Sequence, residues 1–143
     1  MILMRLFIIT ILLCASAWAQ SVTDLFGKTY VDVIRAYGYP NAIFPVRQSI
    51  PDKDDVVFEY AGSFLYLYSN RCYRAFYSSE YTGVITGTLK IGSSKTSVIE
   101  LFGSRYTLEK EGLVWKKDKY IIIAKLDEAN CLKSLWFITK VEK

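Results

Sequence analysis

The stretch GKTYVDVIRAYG, Gly27 to Gly38, recurs in outline 65 residues later as GSSKTSVIELFG, Gly92 to Gly103. With the first glycines aligned, Val33 and Ile34 fall on Val98 and Ile99, Tyr37 on Phe102, and Gly38 on Gly103, with no gap. Each segment reads as a short helix. Thr29 and Ser94 are N-cap residues whose side-chain oxygen accepts a bond from an otherwise unpaired amide. Asp32, three positions after Thr29, supplies a weaker form of the capping box. Tyr30, Val33, Ile34 and Tyr37 stand at helical spacing and form one apolar stripe. Gly38 and Gly103 occupy the place where a left-handed residue ends a helix.

The correspondence continues past the helices. After Gly38 come VVFEY (Val56 to Tyr60), SFLYLYSN (Ser63 to Asn70) and CYRAFY (Cys72 to Tyr77). After Gly103 come LVW (Leu113 to Trp115), KYIIIAKLDEAN (Lys119 to Asn130) and CLKSLW (Cys131 to Trp136). These segments are rich in β-formers. Cys72 aligns with Cys131 at an offset of 59, so the second copy is six residues shorter. The loop NAIFPVRQSIPDKDD, ahead of the first strand, is where the extra length belongs. The expected fold is α+β: two tandem helix-plus-antiparallel-strand repeats over residues 20–80 and 92–143, with the helices packed on one face of a sheet. The intervening YTGVITGTLKI, Tyr81 to Ile91, reads as a connecting strand.

A glycine, a Ser/Thr cap, a V-I pair and a closing aromatic-glycine, followed by strands with an F-E-Y or V-W element, resemble the SmpA/OmlA (BamE-like) family. Two such units in tandem in an exported chain are similar in arrangement to the β-lactamase inhibitory protein (BLIP-like) fold. The resemblance implies a non-enzymatic protein-binding module of the cell envelope or extracellular space, in a scaffold or assembly role. Its alternative is a proteinaceous inhibitor of a secreted hydrolase such as a β-lactamase, for which NAIFPVRQSIPDKDD is the candidate inserting loop. The chain also departs from these patterns. The first copy has a proline after its helix (Gly38-Tyr39-Pro40), whereas the second reads Gly103-Ser104-Arg105. Leu13 before Cys14 gives no lipobox. The inhibitory protein closes its disulfides within each unit, whereas one here would join the two; its contact loops map onto no particular residues of this chain, so lactamase inhibition is not carried over.

The N-terminus reads as an export signal. MILMRLFIITILLCASAWAQ places Arg5 before an apolar run from Leu6 to Leu13, and Ala17 and Ala19 bracket Trp18 in an A-x-A pattern. The run is shorter than the ~20 apolar residues a membrane helix needs. Residues 1–19 are therefore expected to be removed, with the mature chain beginning at Gln20. A periplasmic, envelope or secreted destination follows, with no integral membrane segment remaining. The mature chain carries 17 basic and 14 acidic residues, a net charge of +3, without the continuous basic stripe a nucleic-acid binder shows. Its two cysteines, Cys72 and Cys131, suggest a structural disulfide in an oxidising compartment. The alternative is two thiols acting as small hydrophobes.

No reaction is legible. The chain has no histidine, the commonest general base and zinc nitrogen ligand. Cysteines 59 positions apart cannot form a C-x-x-C redox motif. GTLKIGSS, Gly87 to Ser94, has P-loop glycine spacing, but Ser93 stands where the lysine is required. Asp52, Asp54 and Asp55 lack the glycine and terminal glutamate of an EF-hand loop. Carboxylates such as Glu59, Glu80, Glu100, Glu109, Glu111 and Asp127 are not paired by any spacing. An enzyme is not expected, nor a cofactor or metal.

The surface signal is aromatic. The chain has 11 tyrosines, crowded between Tyr60 and Tyr81. Alternation in SFLYLYS puts Phe64, Tyr66 and Tyr68 on one face and Leu65 and Leu67 on the other. Leucines suit a face under the helix, and rings with polar tips suit an open, adhesive face. Cys72, Arg74 and Phe76 alternate onto one face as well, with Arg74 pointing to the solvent side. Phe64, Tyr66, Tyr68 and Arg74 are thus the candidate partner-binding residues. Tyrosines in strands also pack across them without any partner, and an aromatic platform equally suits a small ligand or the cell wall.

Overall fold

The computed structural model describes residues 22–47 and 54–140. The expected signal peptide and its cleavage site lie outside the described residues. The framework is a single eight-stranded antiparallel sheet. Its strands are β1 (Ala42–Val46), β2 (Asp55–Tyr60), β3 (Ser63–Tyr68), β4 (Arg71–Tyr77), β5 (Thr107–Glu109), β6 (Gly112–Lys116), β7 (Tyr120–Leu126) and β8 (Leu132–Thr139). They lie in the order β1-β2-β3-β4-β8-β7-β6-β5. Two four-strand meanders therefore meet at β4 and β8. The helices are α1 (Tyr30–Tyr37) and α2 (Lys95–Phe102), eight residues each. The expected α+β layering of two helix-plus-strand repeats is corrected to a mainly β fold. The β-formers run further than the short motifs suggest, and each helix contributes one wholly buried residue, Val33 or Val98.

The local chemistry of the helices explains where they start and stop. The Thr29 hydroxyl oxygen accepts from the Asp32 amide and the Asp32 carboxylate accepts from the Thr29 amide, a complete capping box. The Asn70 side-chain oxygen accepts from the Tyr30 amide, which ties the helix start to the β3–β4 turn. Ser94 caps α2 through the Ser97 amide. Gly38 and Gly103 end the helices at φ 79° and 101°, a region costly for residues with a Cβ. Their carbonyls are taken by matching side chains of the second strand of each meander. Tyr60 Oη donates to Gly38 O at 3.0 Å, and Trp115 Nε1 donates to Gly103 O at 2.7 Å.

The segments leading into the helices are bonded to the central strands. The Gly27 amide donates to the Cys72 carbonyl and the Gly92 amide to the Leu132 carbonyl, each at 2.7 Å. The counterpart of Cys72 is therefore Leu132, not Cys131, and the register expected from the cysteines slips by one. Cys131 precedes β8 and forms an isolated bridge with Ser94.

Both cysteines are free thiols, so the expected Cys72–Cys131 disulfide is corrected. The register gives the reason. Arg74 pairs with Ile138 and Tyr77 with Leu135, which carries Cys72 towards the far end of β8 and leaves Cys131 roughly nine residues away along the strand, on the order of 25–30 Å. A disulfide needs Cα atoms within about 7 Å.

Two further expectations change. Tyr81 to Ile91 is a run of bends and turns with one isolated bridge, Thr86 to Leu89, rather than a strand, and it lends Ile85 and Leu89 to the core. The segment Ala42–Val46 of the expected long loop is the edge strand β1, paired with β2. Of that loop, 48–53 lie outside the described residues.

The core fills one face of the sheet. Phe58, Leu65, Leu67, Cys72, Ala75, Tyr77, Leu113, Trp115, Ile122, Ala124, Leu132, Leu135 and Phe137 meet Val33, Val98, Ile85, Leu89 and the 3₁₀ turn residues Val22 and Leu25 there.

Candidate functional site

The opposite, outer face is also lined by large side chains. Register places Phe64 beside Phe76, Phe76 beside Trp136, Trp136 beside Ile123, and Ile123 beside Val114. One row thus crosses five strands. The next row runs Phe44, Val57, Tyr66, Arg74, Ile138, Ile121. Cross-strand neighbours of this kind are the unit of sheet stabilisation. Phe76 and Trp136 stack with centroids 4.2 Å apart and planes 21° from parallel. Phe64 stacks on Phe76 at 5.8 Å, and Tyr66 meets Trp136 at 5.8 Å. The central rings remain half-buried, while Val57 is closed off at 0% exposure.

Arg74 stands in the middle of these rings. Its guanidinium carbon is 5.6 Å from the Tyr66 centroid, 5.3 Å from Tyr73 and 5.7 Å from Trp136. Such contacts stabilise by about 0.5–2 kcal/mol each, more where water is excluded. The Arg74 Nε is buried and has no hydrogen-bond partner. A donor in that position costs about 1–3 kcal/mol.

Arg74 reaches this face because of a bulge. Tyr66 pairs with Arg74 but Leu67 pairs with Cys72, so Tyr73 is an extra residue in β4. Simple alternation would place Cys72 and Arg74 together. The bulge instead sends Cys72 into the core and Arg74 outward, which corrects the shared face expected from the sequence. The Tyr73 hydroxyl donates to the Asp55 carboxylate at 2.5 Å, and Asp55 is 2% exposed. Burial first, and then this bond, raise the Tyr73 phenol well above its ordinary value. Burial also raises Tyr66, with Arg74 opposing. Both phenols are neutral donors at neutral pH. In β8 the extra residue is Lys133, between Ser134 paired with Lys125 and Leu132 paired with Leu126.

Of the four residues singled out in the sequence, the structure brings Phe64, Tyr66 and Arg74 together. Tyr68 sits at the end of β3, pairs with Arg71 at the turn, is 38% exposed, and shares none of these ring contacts. Sequence reasoning passed over Trp136, Ile123 and Ile138. The signal was the unbroken apolar run Leu135-Trp136-Phe137-Ile138, the pattern of a strand covered on both faces.

Beside the aromatic row lies a cleft of about 240 Å³, lined by Arg74, Glu111, Ile123, Lys125, Ser134, Trp136 and Ile138. A second, of about 480 Å³, lies at the β6–β7 hairpin among Arg105, Lys116, Lys117, Asp118, Lys119 and Tyr120. Two of its cations are engaged: Lys116 pairs with Glu109 at 3.1 Å and Lys117 donates to the Phe102 carbonyl at 2.8 Å. The aspartates considered for calcium separate, Asp54 being exposed and Asp55 buried at the start of β2. Among the described residues no three metal-ligating side chains converge, and no helix is long and apolar enough to cross a membrane.

No family model matches the chain, and no curated protein sequence does. Solved structures do match. A cysteine-rich secretory protein from Staphylococcus aureus overlays 85% of this chain with a TM-score of 0.59 and 18% identity, and 45% of its own chain is covered. An extracellular protein containing an SCP domain, from Bacillus anthracis, overlays 85% with a TM-score of 0.60 and 12% identity, with 46% of its chain covered. The chain thus spans less than half the length of either, and at these identities the likeness concerns the fold alone. The SmpA/OmlA and β-lactamase inhibitory protein resemblance is overturned: its small and apolar anchors fit any capped helix beside a hairpin, and the fold it pointed to is not the one matched. One of these neighbours is described as secretory and the other as extracellular. The fold is therefore one shared with part of two larger proteins, a cysteine-rich secretory protein and an extracellular protein that contains an SCP domain.

Proposed function

We propose that this chain is an exported, non-enzymatic binding module of the cell envelope, in a scaffold or assembly role, and that it holds a partner protein on the outer face of β3, β4, β8 and β7. The observation that carries this reading is the row Phe64, Phe76, Trp136 and Ile123 with Arg74 at its centre. Aromatic and arginine side chains that stay half-exposed in a cluster are the composition of interface hot spots. Core packing already occupies the other face, so these rings are not needed to close the core.

The test is site-specific photocrosslinking in the cell of origin. A photoreactive phenylalanine analogue at Ile123 reports on the outer face, and one at Leu101 on the exposed side of α2 serves as control. An envelope protein joined from position 123 and absent from 101 is the expected result, and it is lost in the Tyr66→Ser/Arg74→Glu double variant. A secreted hydrolase as the adduct moves the reading to an inhibitor. An absence of protein adducts, with the fold intact, overturns protein binding in favour of a small-ligand or cell-wall platform.

A further inference from the structure

Resting on that reading of the outer face, we infer that the cleft beside Trp136 is a carboxylate subsite, which takes an Asp or Glu side chain set next to a large apolar residue in an extended peptide of the partner. Size comes first. At about 240 Å³ the cleft lies below the range of about 300–1,000 Å³ typical of cofactor and drug-like pockets, and it suits one large side chain. Its walls combine an apolar floor, Trp136, Ile123 and Ile138, with Arg74 and Lys125 as cations, Glu111 as the one anion and Ser134 as a neutral hydroxyl.

Charge decides the ligand. The Arg74 side chain makes no ion pair or hydrogen bond with any described residue, and its Nε is a buried donor without an acceptor. The nearby acid, Asp55, already accepts the Tyr73 hydroxyl. The guanidinium lies among the rings of Tyr66, Tyr73 and Trp136, and Arg74 also lines the cleft. The two terminal nitrogens can meet the two oxygens of one carboxylate, the planar, bidentate pairing arginine favours. Glu111 leaves the cleft with a single excess positive charge. That suits a monoanion and disfavours a phosphate dianion. Lys125 sits in the Tyr66 position of the second meander, so the second cation lies across the row from the first.

The experiment uses the exported chain, isotope-labelled for NMR and titrated with two probes. One is the capped tripeptide acetyl-leucyl-glutamyl-leucinamide, and the other is its glutaminyl counterpart. The glutamyl peptide is expected to shift the Trp136 indole and Arg74 Nε–H signals and to bind about tenfold tighter than the glutaminyl one, a charge-assisted bidentate pair replacing a neutral one. Arg74→Gln should erase the preference while leaving the remaining spectrum unchanged, and Arg74→Lys should restore part of it. Equal binding of both peptides at Trp136 overturns the carboxylate subsite but leaves the outer face as a binding surface. Shifts confined to residues elsewhere, or no shift, overturn the subsite too, and the crosslinking at position 123 then decides separately whether the face binds protein at all.

Discussion

Replacing Cys72 by Ala should flatten the alkaline limb of the stability curve. Cys72 is 1% exposed, and burial pushes its thiol up to about 12, against an ordinary value of 9.0. A folded value raised above the unfolded one gives stability that is complete below the unfolded value and lost as pH rises towards the folded one. Between about pH 9 and 12 the unfolded chain releases a proton that the folded chain keeps, so unfolding becomes easier with each pH unit. By pH 10 the loss attributable to this group is on the order of 1 kcal/mol relative to pH 7.5. The assay is urea unfolding under a non-thiol reductant at pH 7.5, 9 and 10, for the natural chain and Cys72→Ala. The alanine removes a sulfur from the core and lowers stability at every pH, so only the difference in slope matters. The several buried tyrosines titrate in both proteins and cancel. Natural and variant chains that lose equal stability between pH 7.5 and 10 would refute the argument, because the thiol would then not be held in the dry core.

Three other outcomes follow from named contacts. Both cysteines should react with a maleimide after unfolding and only Cys131 before it, and a reductant should leave the urea midpoint unchanged; a shifted midpoint would mean a bond that the sheet register forbids. Trp115→Phe loses an indole donor to Gly103 and core volume and should cost about 2–3 kcal/mol, whereas Tyr60→Phe, the matching change at a more exposed site, should cost about 0.5–1 kcal/mol; equal costs measured by urea unfolding would contradict the burial difference. Gly112→Ala should destabilise by more than about 2 kcal/mol, since at φ 133° its Cβ would stand 2.3 Å from the Ala124 carbonyl oxygen; a midpoint within error of the natural chain would refute the close approach of β6 and β7.

What the sequence disclosed and what it concealed divide along physical lines. The helices fall where their caps place them, because Thr29, Asp32 and Ser94 act on amides within three residues. Leu65 and Leu67 turn to the core and Phe64 and Tyr66 away from it, because a strand free of bulges alternates. The disulfide expectation failed on a count: two cysteines say nothing about strand register, and register holds these two at opposite ends of the neighbouring strands β4 and β8. Face assignment failed at Cys72 and Arg74 because a bulge inserts one residue without any marker such as a glycine. The chain-wide architecture was misjudged for a related reason. Thr107 to Glu109 and Ala42 to Val46 are exposed edge strands, and nothing in their side chains repeats with period two. The aromatic row was half visible in β3, and its partners on β8 were hidden because a strand apolar on both faces shows no alternation.

The two bulges also explain why only one half of the sheet carries the candidate site. Tyr73 in β4 and Lys133 in β8 are the extra residues at matching places, and each is followed by an outward-facing residue, Arg74 or Ser134. The scaffold thus offers two similar positions, and the side chains decide between them. At Tyr73 the extra residue is held by its hydroxyl bond to the buried Asp55, so the bulge is fixed and Arg74 is fixed with it. Lys133 is exposed and the following Ser134 is too short to reach across the rings. Phe76 and Trp136 occupy the same place in the two meanders and stack where the halves join, at 4.2 Å. The charge therefore sits to one side of a shared aromatic centre. A peptide lying across β4 and β8 would meet a cation over rings at one end and Lys125 with Ser134 at the other. Such a surface gives an extended partner a preferred direction, which a symmetric pair of positions would not.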